Sequence, residues 1–291
     1  MFNNLDREKS ITIFLMGGTG NQLFQIARAH SLQVAGHNVT VANLGSIEGL
    51  IYCLLGFTRH DNWLDFSALL KTLHIPLKTV TFYQLQCLFW MLVKRRLGFG
   101  DNSFFDSDLD EAQSSRRSID VGYFQSLSKV SFDSLYAVAN SLLINHSDTR
   151  DRDDQESVVL HLRGGDFGKS LRLENEFIRR ILVFCGQKSI PLAVVTNDAS
   201  FYRELFEHRS EARLVRNNNA LQDFLFLVNA RRLVVSNSTF SFWAMICAST
   251  ISPVDVIFPE DYFFKDLRSL ADITKNLNII DLDGRVYNAN A

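Results

Sequence analysis

The stretch His161-Leu162-Arg163-Gly164-Gly165-Asp166 closes an apolar run, "SVVLHL", and opens a turn. Side chains alternate along an extended strand, so His161 and Arg163 share one side while Leu162 turns into the core. The two glycines let the backbone turn sharply and approach a ligand closely. A guanidinium at a strand's carboxyl end can fork two donors onto a diphosphate. A surface ion pair between Arg163 and Asp166 is the plainer reading of the same residues. "NSTF", residues 237–240, is a second candidate. Ser238 is placed to cap a helix, and the free backbone N–H groups behind it, with Thr239 and Phe240, form an anion site suited to phosphate.

Two further clusters are polar. Thr196-Asn197-Asp198 ends the run "PLAVVT", where Asp198 can brace Arg163 from a neighbouring strand end. Near the N-terminus, "GGTGNQLFQIA" spans residues 17–27 and looks like a dinucleotide fingerprint. That fingerprint needs three glycines spaced G-x-G-x-x-G and an acid at the end of the second strand. Gly18 and Gly20 fit, but the third position is Leu23 and the second strand ends at Asn43. The turn is followed instead by Asn21 and Gln22, amides that can orient a polar ligand at a helix N-terminus, or merely cap it.

The elements that carry these clusters follow from periodicity. Residues 11–15 form a buried strand, a helix follows from Asn21 to Gly36 with Leu23, Phe24, Ala27 and Val34 at helical spacing, and 38–42 form a second strand. Residues 43–145 are mostly helical in pattern, interrupted by a polar loop over 100–120. The charged stretch 145–157 reads as a linker, which places one domain at 1–150 and another at 151–291. In the second, strands at 157–162, 191–196, 212–215, 232–236 and 253–258 alternate with helices from about 173, 200, 219 and 239. That alternation predicts a doubly wound α/β domain whose ligand lies at the carboxyl ends of the strands. Three of the polar clusters fall at such ends and therefore converge.

With 291 residues, 46% hydrophobic and 21% charged, the chain has the make-up of a globular enzyme. A net charge of −2 argues against a nucleic-acid binder working through a broad basic face. Cys53, Cys87, Cys185 and Cys247 lie too far apart for a zinc or redox pair and read as small core residues of a reducing compartment. The polar N-terminus is neither signal peptide nor anchor, which places the protein in the cytoplasm. Residues 82–96 read as a buried helix. Their aromatic face, followed by Lys94, Arg95 and Arg96, also suits peripheral contact with the inner face of an anionic membrane.

Taken together, the motifs resemble the α-1,2-fucosyltransferases of glycosyltransferase family 11, within the wider α-1,2/α-1,6/protein O-fucosyltransferase superfamily. "GGTGNQLFQIA" stands for the family's G-G-L-G-N-Q-M-F-Q-Y-A, "HLRGGDF" for H-x-R-R-G-D-Y, "TND" for S-D-D and "NSTFSFW" for N-S-T-F-S-W-W. Gly122 to Ser126 match a G-Y-F-Q-S segment. The resemblance implies a GT-B-like α/β fold, two Rossmann-like domains facing across a cleft, the N-terminal one taking the acceptor and the C-terminal one GDP-fucose. It implies metal-independent, inverting transfer without a cofactor to a galactose-containing glycan of a surface polysaccharide or oligosaccharide, free or lipid-linked. Arg163 would clamp the diphosphate, His161 and Asp223 would meet the guanine, and Ser238, Thr239 and Phe240 would hold phosphate. Asp198 would lie on the donor side, and Gly18, Gly20, Asn21 and Gln22 would line the acceptor side. Asp166 is the candidate base, with Glu174 and Glu176 as alternatives. Gly164 replaces the family's second arginine and Asn197 the first aspartate of its S-D-D turn. These departures leave open another nucleotide sugar, or a non-catalytic relative that binds a glycan or a partner.

Overall fold

Strands β1 (Ser10–Leu15) and β2 (Asn38–Asn43) carry apolar residues toward both faces, with Ile13, Phe14, Leu15 and Val41 all buried. Two-sided burial is what a parallel sheet covered by helices requires. The computed structural model describes residues 10–43, 64, 66–79, 86, 117–120, 129–144, 156–164, 173–206, 212–215, 219–259, 276–282 and 286–287. The chain divides into two compact units, Met1–Ser141 and Leu142–Ala291.

In the first unit, helix α1 (Thr19–Val34) connects β1 to β2 and buries Leu23, Phe24, Ile26 and Ala27. Each large side chain withdrawn from water there contributes about 1.5–3 kcal/mol. Helix α2 (Phe66–Thr72), strand β3 (Leu77–Thr79), strand β4 (Arg117–Asp120) and helix α3 (Phe132–Ile144) follow. The sheet order is β3-β2-β1-β4, parallel throughout. β3 and β4 depart from the helical and loop patterns read over 43–145. β4 is "RSID", a segment with one apolar residue and no alternation. It is a strand because Arg117–Asp120 pair with Ser10–Ile13 of β1, and such context overrides intrinsic preference.

The second unit contains β5 (Val158–Leu162), α4 (Asn175–Gln187), β6 (Leu192–Thr196), α5 (Ala199–Phe206), β7 (Ala212–Leu214) and α6 (Ala220–Val228). It continues with β8 (Arg232–Val234), α7 (Thr239–Ile251) and β9 (Val254–Ile257), as the alternation predicts. Two strands lie beyond that reading: β10 (Leu277–Ile280) and the two-residue β11 (Val286–Tyr287). The order is β11-β10-β9-β8-β5-β6-β7, parallel except for the β10–β11 pair. Helix α4 turns Phe177, Ile178, Ile181, Leu182 and Cys185 inward at helical spacing. Helix α7 is buried continuously from Ser241 to Ser249, which explains the unbroken apolar run "FWAMICA".

Candidate functional site

From β5 the chain winds outward through β6 to β7, then returns to the other side of β5 to form β8, β9 and β10. This is the strand order of dinucleotide-binding sheets, and it reverses between β5 and β8. At such a reversal the flanking connections leave on opposite faces and open a crevice beyond the carboxyl ends of the strands. His161, next to last in β5, reaches across this point: its Nδ1 lies 2.7 Å from Ser236 Oγ, just past β8. Ser236 is itself fixed by Ser241 of α7, whose Oγ donates to the Ser236 carbonyl at 3.1 Å and accepts its N–H at 3.3 Å.

His161 is 4% exposed. Burial, reinforced by the nearby Arg163 charge, pushes its pKa down to about 3, so the ring is neutral at physiological pH. It stacks on Phe240 with centroids 5.3 Å apart, and Phe240 meets Phe224 edge-on at 5.5 Å. Phe224 follows Asp223 in α6, a helix capped by Asn219 Oδ1 accepting the Gln222 N–H at 2.9 Å. Three aromatic rings thus link the end of β5, the start of α7 and the start of α6, where Asp223 sits half-buried in the first turn. Ser238 caps α7, its Oγ accepting the Phe240 N–H at 3.3 Å, and Thr239 and Phe240 are half-buried behind it.

On the other flank, Arg163 and Gly164 leave β5 beside the end of β6. Asn197 Oδ1 accepts the Gly164 N–H at 2.8 Å, and Tyr202 Oη donates to the Arg163 carbonyl at 2.9 Å. Asp198 Oδ1 accepts from Ser200 Oγ at 2.9 Å. Gly164 is pressed against this corner: a Cβ on it would lie 2.7 Å from Asp198 Cβ. The fold therefore brings His161, Arg163, Asp198 and Ser238 to the carboxyl ends of three adjacent strands. Ser236, Ser241 and Tyr202 were not legible as parts of this site. Their partners lie on other elements, and the one local signal was a serine closing the run "RLVVS".

In the first unit, Gly17 adopts φ +80°, a conformation that favours glycine, so this residue makes the turn while Gly18 stands as an ordinary N-cap at φ −68°. The helix begins at Thr19, two residues before Asn21, and Gln22 is 2% exposed. Gln22 Nε2 donates to the Gly17 carbonyl at 2.8 Å, while the Met16 N–H donates to Gln25 Oε1 at 2.8 Å. Gln22 thus holds the turn from inside, and Asn21 is half-buried. Asp166, Gly122 to Ser126, Cys53, Cys87 and, save Gln86, residues 82–96 lie outside the described residues. Glu176 pairs with Arg179 at 3.6 Å on the surface, and Glu174 is the N-cap of α4 without a side-chain capping bond. Cys185 and Cys247 are buried free thiols, and burial pushes the Cys247 thiol up. Among the described residues, no three His, Cys, Asp or Glu side chains cluster to hold a metal ion, and no helix is long and apolar enough to cross a membrane.

No family model matches the chain, and no curated protein matches it. Among solved structures, E. coli heptosyltransferase WaaC with ADP aligns over 94% of this chain and 93% of its own, at 10% identity and a TM-score of 0.43. The NodZ α-1,6-fucosyltransferase co-crystallised with GDP aligns over 81% and 91%, at 14% identity and a TM-score of 0.42. POFUT1 in complex with GDP aligns over 88% and 99%, at 11% identity and a TM-score of 0.43. At these identities and scores the likeness bears on neither activity nor substrate.

Proposed function

We propose that this chain is an inverting, metal-independent glycosyltransferase of GT-B type that moves fucose from GDP-fucose to a galactose hydroxyl in α-1,2 linkage. One observation supports the reading above the others. The residues matching the donor motifs meet at the carboxyl ends of β6, β5 and β8, at the point where strand order reverses. A dinucleotide-sized ligand is expected at that point of a doubly wound sheet. Arg163 faces the diphosphate and Asp223 accepts from the guanine N1–H and amine. The first turn of α7, with Ser238, Thr239 and Phe240, holds phosphate through its N–H groups.

In the transfer, the acceptor hydroxyl oxygen bonds to the anomeric carbon of fucose as the bond from that carbon to the diphosphate breaks. The bonding pair leaves on GDP, where the Arg163 guanidinium stabilises the growing charge. The hydroxyl proton passes to Asp166, and Asn21 orients the acceptor. Incubation with labelled GDP-fucose and a panel of galactosides tests this reading. Wild type transfers label, and Arg163→Ala lowers turnover by about 10²–10³-fold. Absence of both transfer and hydrolysis with every acceptor overturns it. Gly164, which leaves the diphosphate with one cation fewer than the resembled motif, favours a second reading in which another nucleotide sugar is the donor. Stabilisation by GDP-mannose or UDP-galactose in preference to GDP-fucose, read by thermal shift, would select it.

A further inference from the structure

The ladder between β5 and β6 ends at Leu162 and Thr196. The peptide joining Arg163 to Gly164 lies just beyond it, where a backbone is ordinarily free to swing. Here both polar groups of that peptide are held by side chains. Tyr202 Oη donates to its carbonyl at 2.9 Å, and Asn197 Oδ1 accepts its N–H at 2.8 Å. Both come from the β6–α5 connection and its helix, and Tyr202 is 0% exposed. Gly164 makes this approach feasible, since a Cβ there would meet Asp198 Cβ at 2.7 Å and Tyr202 Cε2 at 3.2 Å.

We infer that Asn197 and Tyr202 are positioning residues that fix the direction in which Arg163 leaves β5, and so place its guanidinium on the donor diphosphate. The inference rests on the donor reading of Arg163 given above. It also joins the two departures from the resembled motifs. Gly164 and Asn197 touch each other, and each makes sense through the other. The glycine lets the backbone reach the corner of β6, and the amide oxygen takes the N–H delivered there. A side chain at 164 would push the peptide off both partners.

The test compares GDP with guanosine, which lacks the phosphates, by calorimetric titration and ligand-observed NMR. Tyr202→Phe keeps the buried ring and removes the donor hydroxyl. Asn197→Ala removes the acceptor, and Asn197→Asp restores an acceptor oxygen. Tyr202→Phe and Asn197→Ala are expected to weaken GDP by about three- to tenfold, the size of one misplaced charge-assisted contact. Guanosine affinity stays at the wild-type value, and Asn197→Asp recovers GDP binding. Unchanged GDP affinity in both variants, while Arg163→Ala loses it, overturns the inference. So does an equal loss for guanosine, which marks a general structural role. A wild-type protein that binds no GDP overturns the donor reading, and the role of the pair falls with it.

Discussion

The turn after β1 and the turn after β5 occupy corresponding places in their sheets. Each follows the first strand of an order in which the second strand lies on one side and the fourth on the other, β3-β2-β1-β4 and β7-β6-β5-β8. Each also opens on a glycine pair, Gly17-Gly18 and Gly164-Gly165. They are held in different ways. The first is closed by amides of its own helix, Gln22 and Gln25, across 5 and 9 residues. The second is closed by Asn197, Tyr202 and Ser236, across 33, 39 and 75 residues. A turn braced from within its own helix depends less on the rest of its unit. A turn closed from two connections, the one after β6 and the one after β8, reports on both, so damage at either reaches Arg163.

The largest break in this contrast is expected from Gly164→Arg, which writes the resembled motif's second arginine back into the chain. Charge alone predicts tighter binding of a diphosphate. The backbone predicts the opposite, because the new Cβ meets Asp198 Cβ at 2.7 Å and neither is the far end of a flexible side chain. Overpacking of this kind costs about 1–3 kcal/mol. The expected result in denaturant unfolding is a loss near the upper end of that range, with weaker GDP binding despite the added cation. A variant as stable as wild type that binds GDP more tightly would show that the corner yields easily.

A smaller effect separates the two turns by pH. His161 is buried neutral with a pKa near 3, against an ordinary value of 6.5. Between those values the unfolded chain takes up a proton that the folded chain refuses, so stability is full above pH 6.5 and falls as pH drops toward 3. The slope reaches about 1.4 kcal/mol per pH unit. Unfolding at pH 6.5 and 5 stays above most of the carboxylate range, where His161→Gln should lose less stability than wild type on acidification. Equal losses would mean that His161 is protonated in the folded protein. The two hydrogen bonds by which Gln22 and Gln25 close the turn in the first unit join amides to backbone groups, and those two bonds carry no titrating group.

The same contrast explains what was legible in the sequence. β5, β6, β8 and β9 announce themselves as short apolar runs, and α4 by its spacing, because their identity is written in neighbouring residues. The cap at Ser238 was legible for the same reason. β4 was not, since "RSID" is a strand through its pairing with β1. β10 and β11 were missed because four and two residues carry too little pattern. Among the candidate site residues, His161, Arg163 and Ser238 could be picked out by type and place at strand ends. The partners that orient them could not, because Ser236 and Tyr202 are common residues whose role exists only once β8 and α5 flank β5. In the first turn Gln22 reads from the sequence as an amide open to a ligand, and in the fold it is buried with its Nε2 donating to the Gly17 carbonyl.

That result leaves Asn21 as the amide of the first turn to test for function, and its substitution should disturb donor binding least. Asn21 belongs to the first unit, while every residue assigned above to the nucleotide belongs to the second. The turn beneath it is closed by Gln22 and Gln25, so Asn21→Ala leaves the Gly17 conformation in place. GDP affinity, measured by calorimetry, is therefore expected to stay within about twofold of wild type, while transfer to a galactoside falls by about 10-fold or more, as for a lost orienting contact. Hydrolysis of GDP-fucose by water, which needs no oriented acceptor, should fall less than transfer. Equal losses in GDP affinity and in transfer would place the turn in the nucleotide pocket.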